Sequence, residues 1–303
     1  MLTPRSYFLN PTTKQSFIKP FLTIEQQISQ LKFRGMNFHD EEKAKYYLEN
    51  LNYYRLGGYW LIFEKNHETH EFKDNTYFEE ILNLYIFDRE LRLLLLDAIE
   101  RIEVSIRSRL AYVLAQSFGS HAHLKPEIFA SPLNYARTLT KLKSELDRNR
   151  SEIFIKHHSD KYNEELPPIW VSVEVMTMGQ ISNWYSNIKD RKYKQIIAKY
   201  YGLDEKILSS FLHHLTIVRN TSAHHSRVWN RKFTIDFILP NLPKELNDKF
   251  NPSSKKYIYN TLVLCEYLMN IISDDNSWKK RLDDLILKHN VDVKRMGFLE
   301  VTI

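Results

Sequence analysis

Apolar residues in this chain recur at intervals of three and four over long stretches, and the one-on, one-off alternation of a half-buried strand is never sustained. The longest pattern runs from roughly Tyr77 to Phe118. Ile81, Leu84, Tyr85, Asp88, Leu91, Leu95, Ile99, Ile102, Ile106, Leu110 and Val113 keep close to a 3.6-residue period, and Gly119 closes it. That exceeds an ordinary globular helix, so it predicts either one spine or two helices broken within the first turns. Upstream, Thr23 with Gln26 has the spacing of a capping box and opens a helix to about Phe33, stopped at Gly35. Asp40 caps a second helix carrying Ala44, Tyr47, Leu48 and Leu51, and Asn52 to Trp60, with Gly57 and Gly58 inside it, reads as a turn-like aromatic hinge.

Downstream, Ser120 to Leu133 is a connector containing Pro126 and Pro132, followed by a polar helix from about Asn134 to Arg150. Pro167-Pro168 opens an apolar helix with Trp170, Val171, Val173, Val175 and Met176, interrupted at Gly179 before Trp184 and Tyr185. Trp170, Met176 and Met178 are expected in the core. Asp204 caps a helix through Ile207, Leu208, Phe211, Leu212, Leu215 and Val218. After Pro240 and Pro243 come a helix from about Ser253 to Ile272 and a charged tail helix. The fold class expected is all-α.

Composition narrows the function classes. The 303 residues hold 7 Gly and 10 Pro, which suits long helices and leaves no phosphate-cradling glycine loop. No apolar run approaches the roughly 20 residues of a bilayer span, and Met1 to Asn10 lacks the apolar core of a secretory signal, so a cytoplasmic location with no membrane partner is expected. A single cysteine, Cys265, excludes an intramolecular disulfide and a cysteine-built zinc site. The net charge of +6 favours a polyanionic partner modestly, and a mildly basic protein of no such habit fits nearly as well.

Among chemistry-bearing residues, Arg219-Asn220-Thr221-Ser222-Ala223-His224-His225 stands out, where an apolar helix turns abruptly into small polar residues. The Arg-x4-His spacing occurs twice, and the other instance, Arg34 to His39, falls in an inter-helix turn. On a helix Asn220 and His224 share one face, whereas Arg219 lies about 140° from His224, so the arginine must reach around or a second copy must supply it. An imidazole that serves as acid or base beside a fixed guanidinium is what RNA cleavage without a metal requires. The same residues also suit a plain helix C-terminus.

The chain resembles the Abi-like (abortive infection, AbiD/AbiF-type) bacterial family of the HEPN superfamily, all-α RNases marked by Arg-φ-x3-His in which φ is commonly Asn, Asp or His. The residues carrying the resemblance are Lys19-Pro20-Phe21 with Gln26-Gln27, Asn52 to Tyr59, Phe87-Asp88-Arg89-Glu90-Leu91-Arg92, Ile99 to Arg107, Pro168-Ile169-Trp170, Glu174 to Gly179, and Val218 to Asn230. The resemblance implies a HEPN-type helical bundle with an N-terminal helical extension: residues 1–75 as the extension, 76–235 as the HEPN-type domain and 236–303 as a C-terminal helical extension. It implies a metal-independent endoribonuclease toxin of anti-phage defence acting as a homodimer, with no cofactor and no metal. Some relatives are restrained by a cognate small non-coding RNA. Certain HEPN toxins are silenced at a tyrosine two residues after the motif histidine, where this chain has Ser226, so that control is not expected here.

On this reading Arg219, His224 and Asn220 are the catalytic candidates. His225, Arg227, Arg101, Arg107, Arg55, Arg191 and Lys192 are RNA-binding candidates, though ion pairing or a solvated face explains several of them as readily. The competing reading is a non-catalytic RNA-binding or partner-blocking defence protein.

Overall fold

The computed structural model describes residues 20–274 and 277–299, so Lys19 and the Met1 to Asn10 segment lie outside the described residues. The chain divides into two compact units, split after Leu82. In the first, helix α1 (Ile24–Phe33) opens on the expected box. The Gln26 amide N–H donates to the Thr23 hydroxyl at 3.3 Å, and the Thr23 N–H donates to Gln26 Oε1 at 2.9 Å. Helix α2 (Glu41–Asn50) starts on Asp40, which accepts from the Lys43 N–H.

One expectation fails here, while the all-α fold class holds. The Asn52 to Trp60 segment is helix α3 (Tyr53–Trp60), capped by Asn52 on the Tyr54 N–H, and it buries Leu56, Tyr59 and Trp60. Each glycine inside a helix costs only about 1 kcal/mol, while burying one large side chain returns about 1.5–3 kcal/mol, so packing wins over the breaker signal. A short antiparallel hairpin, β1 (Glu64–Asn66) with β2 (Glu71–Phe72), is too brief to show a period of two. Otherwise the described chain is helical.

The spine is continuous. Helix α4 (Phe78–Phe118) runs 41 residues without a break, and Gly119, at φ +90°, ends it in the left-handed conformation that glycine adopts without strain. Its positions Phe87, Leu91, Leu95, Ile99, Ile102, Ile106 and Leu110 are all buried, as the period requires. Helix α5 (Pro132–Arg148) follows the connector, capped by Ser131 with proline in the first turn. Helices α6 (Ile153–Lys161) and α9 (Arg191–Tyr200) were not foreseen, because basic and polar residues crowd out their few buried apolar positions.

The Pro168 helix is brief: α7 (Ile169–Ser172) is one turn, continued by a 3-10 turn. One turn presents one inward face, which Ile169 and Ser172 take. Trp170, expected in the core, is instead 52% exposed, whereas Met176 and Met178 are buried as expected. Gly179 does not interrupt. It sits in the first turn of α8 (Met178–Asn187), which has its own capping box between Thr177 and Gln180.

Helix α10 (Glu205–Ala223) packs against α8 and α9, and α5 packs on the other side of α8. The Tyr185 hydroxyl donates to the Glu205 carbonyl at 3.4 Å, while Gly179 meets the Thr216 side chain, so α8 and α10 run antiparallel. After a short α11 (Lys244–Asn247), α12 (Tyr259–Ile272) begins later than Ser253, since 252–254 forms a 3-10 turn. The tail helix, α13 (Trp278–His289), lies on α4. Trp278 Nε1 donates to the Leu94 carbonyl at 2.8 Å, and Lys288 pairs with Glu90 at 3.0 Å.

Candidate active site

The end of α10 separates burial from chemistry. Asp204 starts the helix by accepting the Lys206 N–H at 2.8 Å, and Leu208, Phe211, Leu212, Leu215 and Val218 face the interior. Immediately afterwards Arg219 and Asn220 are exposed, Thr221 and Ser222 turn inward, and His224 and His225 are exposed again. Burial of one face thus fixes the helix while the motif side chains meet solvent.

His224 is the C-terminal cap, its N–H donating to the Asn220 carbonyl at 3.0 Å. The chain then reverses in a Schellman turn: the His225 N–H donates to Ser222 O and the Ser226 N–H to Thr221 O, both at 3.0 Å. The left-handed position of such a turn is usually glycine, but here it is His225, at φ +57°. A Cβ there costs roughly 1–2 kcal/mol. Strain of this kind clusters where a side chain is needed for function.

Arg219 Nη1 donates to Asn220 Oδ1 at 3.3 Å, placing the guanidinium beside the asparagine. Asn220 and His224 stand one turn apart on the same face, as the spacing predicts. Arg219 and His224 make no hydrogen bond with each other among the described residues. One chain therefore presents both groups at solvent without joining them.

What holds this turn in place was not singled out as a site in the sequence. Asp88, fully buried on α4, accepts the Trp229 N–H at 2.6 Å and the Val228 N–H at 3.0 Å through Oδ1, while its other oxygen takes the buried Arg92. The signal was visible: Asp88 occupies an apolar register position of the spine, with Arg92 four residues on. A carboxylate there needs a strong reason and a full set of partners.

The other candidates fall into three groups. His225 and Arg227 adjoin the motif on the same turn. Arg101 is exposed on α4 and paired with Asp97 at 3.1 Å. Arg107 is mostly buried, bound to Glu103 and donating to the Glu174 and Met176 carbonyls, so it fastens the turn that leads into α8. On α9, Arg191 pairs at 2.6 Å with Glu205, which is buried, whereas the neighbouring Lys192 is exposed. Arg55 is exposed on α3 in the first unit.

The second unit is all-α, built around a long spine, with an exposed Arg-Asn…His helix end followed by a turn held on a buried Asp–Arg pair. Residues 46–230, more than half of the chain, match the Abi-like protein family, and the chain belongs to that family. Membership supports a role in bacterial abortive infection. No curated protein and no solved structure matches the chain. No helix among the described residues is long and apolar enough to cross a membrane.

Proposed function

We propose that this protein is a HEPN-type endoribonuclease of anti-phage defence that cuts RNA without a metal. The observation supporting this reading most strongly is the end of α10, where Arg219, Asn220, His224 and His225 gather at solvent on a turn that Asp88 pins to the spine. His224 takes the proton from a ribose 2′-hydroxyl, and the 2′-oxygen attacks phosphorus. The P–O5′ bond breaks, the leaving 5′-oxygen takes up a proton, and a 2′,3′-cyclic phosphate remains. Arg219 carries the charge that builds on the phosphoryl oxygens, and Asn220 orients the guanidinium or the phosphate.

Because Arg219 and His224 are not joined within one chain, a homodimer in which each site draws from both copies accounts for the geometry best. Mixing tests it. Chains carrying Arg219→Ala and chains carrying His224→Ala, each inactive alone, should together recover about a quarter of parental cleavage, since half the dimers are mixed and each has one intact site. No recovery after subunit exchange would place both groups of one site on one chain. Restraint by a small non-coding RNA fits the same reading, and co-purification of a defined short RNA with the His224→Ala protein would support it.

A further inference from the structure

Between α5 and α8 lies a cleft of about 460 Å³, within the range of small-ligand sites, with Lys141, Glu145 and Arg148 on one wall and Gly179, Gln180 and Asn183 on the other. Two of its lining residues carry unmet polar groups. Gln180 is 6% exposed, and its Oε1 accepts the Thr177 N–H at 2.7 Å, but its Nε2 has no partner. One turn on, Asn183 Oδ1 is also buried and unpaired. Native interiors leave few such groups. A donor on Gln180 and an acceptor on Asn183, one turn apart on α8, suit the edge of a nucleobase, which carries both.

The rim suits the rest of a nucleotide. Lys141 and Arg148 supply positive charge, set against one carboxylate, Glu145, which Arg148 already engages at 3.0 Å. The N-terminus of the ten-residue α8 opens at the cleft, and helix N-termini favour phosphate. A Cβ at Gly179 would stand 3.4 Å from Thr216, so this end of α8 lies against α10. Asn220 is one turn, about 5.4 Å, beyond Thr216 along α10, so the α8 wall of the cleft meets the helix that carries the motif.

We propose that this cleft binds a nucleotide of the substrate RNA, its base edge on Gln180 and Asn183 and its phosphate on Lys141 and Arg148. The identity of the ligand as substrate rests on the ribonuclease reading.

The test measures binding apart from cleavage, using full-length His224→Ala protein, fluorescent single-stranded RNA octamers and a salt series. Adding Lys141→Glu with Arg148→Glu, both at exposed positions, should weaken binding at least tenfold and flatten the slope of log K against log salt by about 0.7 per cation removed. Gln180→Glu keeps the oxygen that caps Thr177 and deletes the donor, so it should change base preference while the charge-reversed protein shows general weakening. Unchanged affinity and slope in the charge-reversed protein would overturn the proposal. So would binding of the four 5′-mononucleotides at the cleft with RNA affinity unaffected, which would mark a free-nucleotide site. In the His224-intact background, cleavage lost on His224→Ala but untouched by the cleft variants would sink the cleft and leave the nuclease standing. RNA binding lost in the cleft variants, with no cleavage by any form, would do the reverse.

Discussion

His225 stands in a backbone position that usually belongs to glycine, and this makes one residue a measure of what the turn is for. If its side chain matters at the site, His225→Gly should raise stability by about 1 kcal/mol while lowering RNA cleavage, a pairing seen where strain serves function. Denaturant melts and a cleavage assay on the same preparation check it, and a gain in stability with cleavage unchanged would reduce His225 to a strained cap. Asp88 is the second measure. Asp88→Ala leaves Arg92 buried without its carboxylate and two N–H groups unsatisfied, so a loss of about 3–5 kcal/mol is expected in chemical denaturation. At this scale the motif was legible because helix spacing alone puts Asn220 over His224. The clamp was less so: in the sequence Asp88 is one more position in an apolar period, and nothing local tells that its partners are the amides of Val228 and Trp229, 140 and 141 residues away.

Among elements, those with strong caps and wide apolar faces were readable. Thr23, Asp40 and Asp204 each start the helix that their side chains announce, and the α4 period ran unbroken to Gly119. Elements settled by tertiary packing were not. α3 forms despite two glycines because Tyr59 and Trp60 need burial, and the single-turn α7 leaves Trp170 facing outward although its sequence context is apolar. α9 shows why charge clusters mislead: Arg191 pairs with one oxygen of the buried Glu205, whereas Lys192 makes no ion pair among the described residues. The two cations should therefore separate on reversal. Arg191→Glu should destabilise the fold by about 3 kcal/mol or more, by setting a second carboxylate against a buried one. Lys192→Glu should leave stability within about 0.5 kcal/mol and alter only the salt dependence of RNA binding, if α9 touches RNA. Thermal melts and binding titrations distinguish the two, and equal destabilisation would contradict the assigned ion pair.

At the scale of the molecule, a net charge of +6 spread over 303 residues gives a weak overall field, so affinity for a polyanion must come from local arrangements such as the end of α10 and the α5–α8 cleft. Stability should also depend on acidity. His123 is fully buried beside Trp184, and burial, with a smaller contribution from His121, lowers its pKa from 6.5 to about 4; His214, also buried, shifts down for the same reason. The unfolded chain binds protons that the folded chain refuses, so this stability is fully present above about pH 6.5 and is lost as pH falls towards 4, up to about 3 kcal/mol for His123. Urea midpoints between pH 7 and 4.5 should fall, and His123→Gln should flatten the slope; a parental midpoint level across that range would contradict the buried neutral imidazole.

The most direct measurement is to incubate the purified parent and its His224→Ala variant with total RNA in excess EDTA and map the new ends. Fragments ending in 2′,3′-cyclic phosphate are expected from the parent, and cleavage by the variant should be reduced by at least about a hundredfold with its fold intact. Equal cutting by both proteins, or cutting by the parent that EDTA abolishes, would contradict it.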